Sequence, residues 1–182
     1  MTDQSTTSPE IQREFMIAAH GNFDRVKELL EAHPDLLYIN FVWGENNYET
    51  PIQAPAHMGN TPITEYLLEK GAPLEICTAS MMGRTNVVKQ ILVDDPDQIK
   101  AVGGHGISLI NHASMSGVIE IVELIRDRGG DMSQASSALF GAIGYGHLAM
   151  VQWLLDNGAD DLNVTNFRGK KPLDLAIEAG HN

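Results

Sequence analysis

A glycine recurs along the chain with the same flanks each time, and this register constrains the fold more than any other feature. The origins are Gly21, Gly59, Gly83, Gly117, Gly146 and Gly180, which are 38, 24, 34, 29 and 34 residues apart by difference of position. Apolar residues follow each origin at fixed offsets. Val26, Ile63, Val88, Ile121 and Met150 lie four or five residues on, and Leu29, Leu67, Leu92, Ile125 and Leu154 lie eight or nine on. This spacing describes one face of a helix. Twelve residues after the origin stands a glycine (Gly71, Gly129, Gly158) or a residue before proline (His33-Pro34, Asp95-Pro96). Either arrangement ends a helix, by left-handed backbone or by loss of an N–H donor. Before each origin lie small residues, among them Ala18, Ala56, Ala79, Ala113, Ala142 and Ala176, which let two helices approach closely. Start signals at Thr50-Pro51, Ser108, Ser137 and Pro172 open this first helix in four of the units.

The unit is helix, tight turn, helix, loop. No unit can bury its apolar face alone, so neighbours must stack into a solenoid. The segments Thr50-Pro51-Ile52-Gln53 with Gly59, Leu67 to Ala72, Val151 to Ala159 and Lys171 to Ala176 resemble the ankyrin repeat. The resemblance spans about residues 12 to 180. It implies an all-α ankyrin-repeat solenoid of about five units near 12–48, 49–74, 75–106, 107–135 and 136–168, with a partial unit at 169–182 as a capping helix. Residues 1–11 are expected to be a disordered polar N-terminus. Pro55 departs from the pattern, so its helix should bend or start late.

Charge limits the partners. Asp and Glu number 24 against 12 Lys and Arg, a net charge of −12. Phosphate backbones and anionic membrane surfaces repel such a chain, so no nucleic acid and no membrane is expected as partner. Cys77 is the single cysteine, and the N-terminus does not read as a signal peptide, which suits a cytoplasmic protein. Cys77 has no activating partner in the sequence and reads as a buried structural thiol. No nucleophile, phosphate-loop, dinucleotide or metal-ligand motif occurs, so neither cofactor nor metal is expected.

What the resemblance implies for function is a binding module that recognises a protein partner through its concave groove and loop tips. The groove-facing positions, one, two and five residues before each origin, carry almost no charge. They include His20, His57, Met58, Met81, Met82, His112, Met115 and Tyr145. Methionines of this kind fill gaps between helices or line an apolar cavity. The loop at 35–49 is long and that at 97–107 intermediate, whereas those at 73–76 and 131–136 are nearly absent. This alternation suits a lidded pocket better than an even shelf.

The alternative is therefore a pocket for an apolar small molecule, or a cofactor-free acid–base enzyme of isomerase, dehydratase or cyclase type. Its candidate catalytic residues are His57, His112 and His105 with Glu45 or Glu49. Trp43, Met58, Met81, Met82, Met115 and Tyr145 would line the site. A carboxylate–imidazole pair transfers protons near neutral pH, and the same groups can hold a metal. His112 occupies a position where the pattern calls for an apolar residue, which suits burial with a hydrogen bond. His20 and His147 fall at turns and read as structural.

Overall fold

A computed structural model describes residues 7–180. Eleven α-helices pair into units among these residues: α1 (Pro9–Ala19) with α2 (Phe23–Ala32), α3 (Gln53–His57) with α4 (Thr61–Glu69), and α5 (Ile76–Met81) with α6 (Thr85–Asp94). There follow α7 (Leu109–Ser116) with α8 (Ile119–Asp127), α9 (Ala135–Gly144) with α10 (Leu148–Asp156), and a last inner helix, α11 (Pro172–Glu178). The architecture is the expected all-α solenoid. The N-terminal boundary is corrected: α1 begins at Pro9, capped by the Ser8 hydroxyl, and only residues 1–6 of the segment expected to be disordered lie outside the described residues. α3 starts late and is one short turn, as Pro55 requires.

The helices form where the register places them. Gly71, Gly129 and Gly158 all have left-handed backbone. Asn22 and Asn60 cap α2 and α4, accepting from the N–H groups of Arg25 and Ile63 at 3.2 and 3.3 Å. The recurring apolar positions are buried: Val26, Leu29, Ile63, Leu67, Val88, Leu92, Ile121, Ile125, Met150 and Leu154 are all 5% exposed or less. Inner helices stack in the order α1, α3, α5, α7, α9, α11. The outer layer runs α2 on α4, then α6 on α8 on α10, with its weakest joint between α4 and α6. The core divides at the same place. One cluster centres on Phe15, Leu36, Ile52 and Leu67, the other on Ile76, Ile110, Ile121 and Leu139. A polar seam joins them, where Gln53 Nε2 donates to Glu75 at 2.7 Å.

Two excursions leave the helical pattern, each after a helix that ends before proline. Past α2, a 3-10 turn at Pro34–Tyr38 leads into an antiparallel hairpin, β1 (Phe41–Gly44) and β2 (Asn47–Glu49), in the segment expected to be a long loop. Past α6, a 3-10 turn at Pro96–Lys100 leads to a tight turn at Gly104–Gly106. β2 packs against that turn, so the two excursions meet across the joint between the two core clusters. No helix among the described residues is long and apolar enough to cross a membrane.

Candidate functional site

The hairpin alternates with period two. Phe41, Trp43, Asn47 and Glu49 face inward while Val42 and Tyr48 are exposed. This phase carries the Glu49 carboxylate into the protein, where the residue is 0% exposed. Glu45 lies instead at the exposed hairpin turn, beside Asn46 with its left-handed φ of 56°, and takes no part in the site. The late-starting helix α3 places His57 beside Glu49. Its Nδ1 is 3.0 Å from Glu49 Oε1 and 3.1 Å from the Gln53 carbonyl oxygen. The 104–106 turn brings in His105, whose Nε2 is 3.4 Å from Glu49 Oε1. The end of α1 brings in His20, whose Nε2 is 3.6 Å from Glu49 Oε2. Trp43 Nε1 donates to Glu49 Oε2 at 2.7 Å.

Three imidazoles and one carboxylate, from four elements of the solenoid, thus form a single cluster. One ligand atom from each of His20, Glu49, His57 and His105 lies within 4.8 Å of the other three. The ring centroids of His20 and His57 are 4.9 Å apart, and those of His57 and His105 are 5.1 Å apart. Isolated, a buried carboxylate costs several kcal/mol, so its neighbours decide whether it is charged. Burial pushes the Glu49 carboxyl up, but the contacts with His57 and Trp43 outweigh it and hold the group below the ordinary carboxylate value. For His105, burial leads, and the neighbouring His57 and His20 rings reinforce it. Together they overcome the attraction of Glu49 and keep the ring below the ordinary histidine value.

The cluster sits on the wall of a cleft of about 900 Å³ on the concave side. His20, His57 and His105 line one part of it, Met58, Met115, Phe140, Tyr145 and Phe167 supply apolar surface, and Arg168 and Lys170 lie along the rim. Lys170 is paired with Glu178 at 2.6 Å, whereas Arg168 forms no ion pair among the described residues and stacks over Phe167. The Tyr145 hydroxyl donates to the Met58 carbonyl at 2.5 Å and so ties the turn of the fifth unit to that of the second.

Several residues singled out in the sequence lie elsewhere. His112 is 0% exposed and outside the cluster. Its Nδ1 lies 3.0 Å from the Ser108 carbonyl, its Nε2 has no partner, and burial lowers it to about 4. A neutral, enclosed ring of this kind is a core element. Met81 is buried in the inner-helix stack, and Met82 lines no part of the cleft. Trp43 stands behind the cluster as a hydrogen-bond donor to Glu49 and does not line the cleft. The Cys77 thiol is buried and pushed up to about 12, which leaves it un-ionised and inert.

Phe140, Phe167 and Arg168 were missed in the sequence, and His20, though at a groove-facing position, was set aside as a turn residue. For His20 the signal was present, since it holds the same place before its origin glycine as Met58, Met82 and Tyr145. Chemically, the arrangement can move a proton between imidazole and carboxylate, or hold a divalent cation among them.

The ankyrin-repeat family model (three copies) matches residues 74–166 and 109–182. Ankyrin repeat and SAM domain-containing protein 6 is similar in two organisms, Rattus norvegicus and Mus musculus. Each is 33% identical over 97 residues, covering 50% of this chain, and the chain spans only 11% of each relative. The family match begins at residue 74, so it leaves out the units that supply His20, Glu49 and His57. Taken with the stacked helix–turn–helix units, these matches show that the chain belongs to the ankyrin repeat family.

Proposed function

We propose that the concave cleft of this ankyrin array is a pocket for a small apolar molecule bearing one acidic group. Ankyrin repeats are in general protein-binding modules. What favours a pocket here is the convergence of His20, Glu49, His57 and His105 on the wall of an apolar cleft of about 900 Å³. That volume falls in the range of small-molecule sites, which are mostly apolar with a few convergent polar groups. The groove is also crossed by the Tyr145–Met58 hydrogen bond, so it is not the open trough that an extended partner segment would need. The acidic group is read from Arg168, the rim cation without a carboxylate partner among the described residues.

Aromatic carboxylates such as naphthoate serve as probes, followed by ligand-observed NMR and calorimetry in the presence of a chelator. Binding to the unaltered chain should weaken by about tenfold or more in Met115→Glu and in Arg168→Glu, since each removes contact or adds repulsion inside the pocket. Both side chains are only partly buried or exposed, so the fold should persist, as far-UV circular dichroism would verify. No binding to the unaltered chain, or equal binding to all three proteins, rejects the pocket.

A further inference from the structure

We infer that His20, Glu49, His57 and His105 form a binding site for a divalent first-row transition ion of the zinc class. The argument begins with the outer nitrogens. His20 Nδ1 lies 2.7 Å from the Met16 carbonyl oxygen, and His105 Nδ1 lies 2.9 Å from Asn47 Oδ1. Both partners only accept, so each Nδ1 carries the proton and donates. In the neutral ring, Nε2 is then a bare lone pair, and both Nε2 atoms face the Glu49 carboxylate at 3.6 and 3.4 Å. Glu49 Oε1 is buried without a well-formed hydrogen bond, and His57 Nδ1, 3.0 Å from it, also lies 3.1 Å from the Gln53 carbonyl oxygen. The Nε2 lone pairs of His20 and His105 thus converge on the Glu49 carboxylate without a proton of their own to offer it. A cation at their centre turns this repulsion into ligation.

The surroundings have the form of a ligand set with its supports. A ligating histidine commonly donates its other N–H to a carbonyl or carboxylate, which fixes the tautomer and ring orientation. Met16, Gln53 and Asn47 fill that role here, and Trp43 Nε1 holds the far oxygen of Glu49. Ligand atoms around a tetrahedral zinc-class ion stand about 3.3 Å apart. The present span of at most 4.8 Å closes to that by small side-chain rotations. Three imidazoles with one carboxylate suit zinc, cobalt, nickel or iron(II). Calcium and magnesium take oxygen ligands, and copper(I) prefers sulfur. The ion would link the two core clusters, because His105 comes from one side of their joint and His20, Glu49 and His57 from the other.

The inference rests on the same convergence of side chains as the pocket, but its test uses no organic ligand, so the two can fail separately. Cobalt(II) is titrated into the chelator-stripped chain, with visible d–d absorption as the readout and zinc as competitor. One equivalent per chain is expected, with bands of a low-symmetry nitrogen–oxygen site that zinc abolishes. His105→Ala, at an exposed position that keeps the fold, should weaken uptake on the order of 100-fold, and Trp43→Phe about tenfold. Far-UV circular dichroism and a thermal melt verify that each variant is folded. Absence of stoichiometric uptake by the unaltered chain overturns the site. So does uptake that survives intact in folded His105→Ala, because the ion would then sit on other histidines.

Discussion

Gly104→Ala is expected to open the histidine–carboxylate cluster while leaving all four of its polar side chains in the sequence. A Cβ at Gly104 would stand 2.5 Å from Glu49 Oε1 and 3.0 Å from Glu49 Cγ. The carboxylate has no room to yield, since it is fully buried and its other oxygen is held by Trp43. The turn must therefore retreat, and His105, the next residue, retreats with it. Overpacking of this kind costs about 1–3 kcal/mol, and cobalt affinity should fall about tenfold or more with the displaced ring. Urea denaturation and the cobalt titration measure the two effects. An unchanged midpoint together with unchanged affinity would show that the turn does not press on Glu49 as described.

The second large effect is a pH dependence carried by His112. Burial, with a smaller push from the neighbouring His57, lowers this ring to about 4 against the opposing bond to Ser108, whereas the unfolded chain titrates at the ordinary value of 6.5. Between those values the unfolded state takes up a proton that the folded state refuses. Its contribution to stability is thus fully present above about pH 6.5 and declines as the pH falls towards 4. Below 4 the folded ring is protonated too and the loss stops growing. The full loss is up to about 3 kcal/mol.

His112→Leu isolates this contribution. At neutral pH the change should be within about 1 kcal/mol, because the bond to Ser108 is lost while an unpartnered buried Nε2 is removed. Denaturant midpoints at pH 7 and pH 4.5 provide the measurement. The variant should lose less stability between them than the unaltered chain, and equal losses would mean that His112 is not a buried neutral ring.

The solenoid was legible because its signal is local and repeated. Apolar residues at helical spacing, a helix stop at a fixed offset and small residues before each origin all describe contacts within one unit or with its neighbour. The lengths of the two excursions also pointed to something lying over the groove. What they build there was not legible. The hairpin has strands of only four and three residues, too short for alternation to stand out, so Glu45 and Glu49 looked equivalent. Only the pairing of Phe41 with Glu49 sends one inward and leaves the other at the tip.

His112 was placed with the groove because its offset matches that of groove-facing residues. The 103–104 turn lies against its ring and encloses it, as the closeness of a Gly103 Cβ to His112 Cε1, 2.6 Å, shows. His20 was set aside as a turn residue. Its part in the cluster depends on the hairpin folding back over the end of α1, a contact that periodicity within units does not encode.

The convergence itself is open to direct observation by NMR of the imidazole rings. Nuclear Overhauser contacts are expected between the ring protons of His20 and His57 and between those of His57 and His105, whose centroids lie 4.9 and 5.1 Å apart. Trp43 should contact His20 and His105 in the same spectra. Three histidine rings with no contacts to one another, each surrounded only by its own unit, would contradict the cluster and every functional reading built on it.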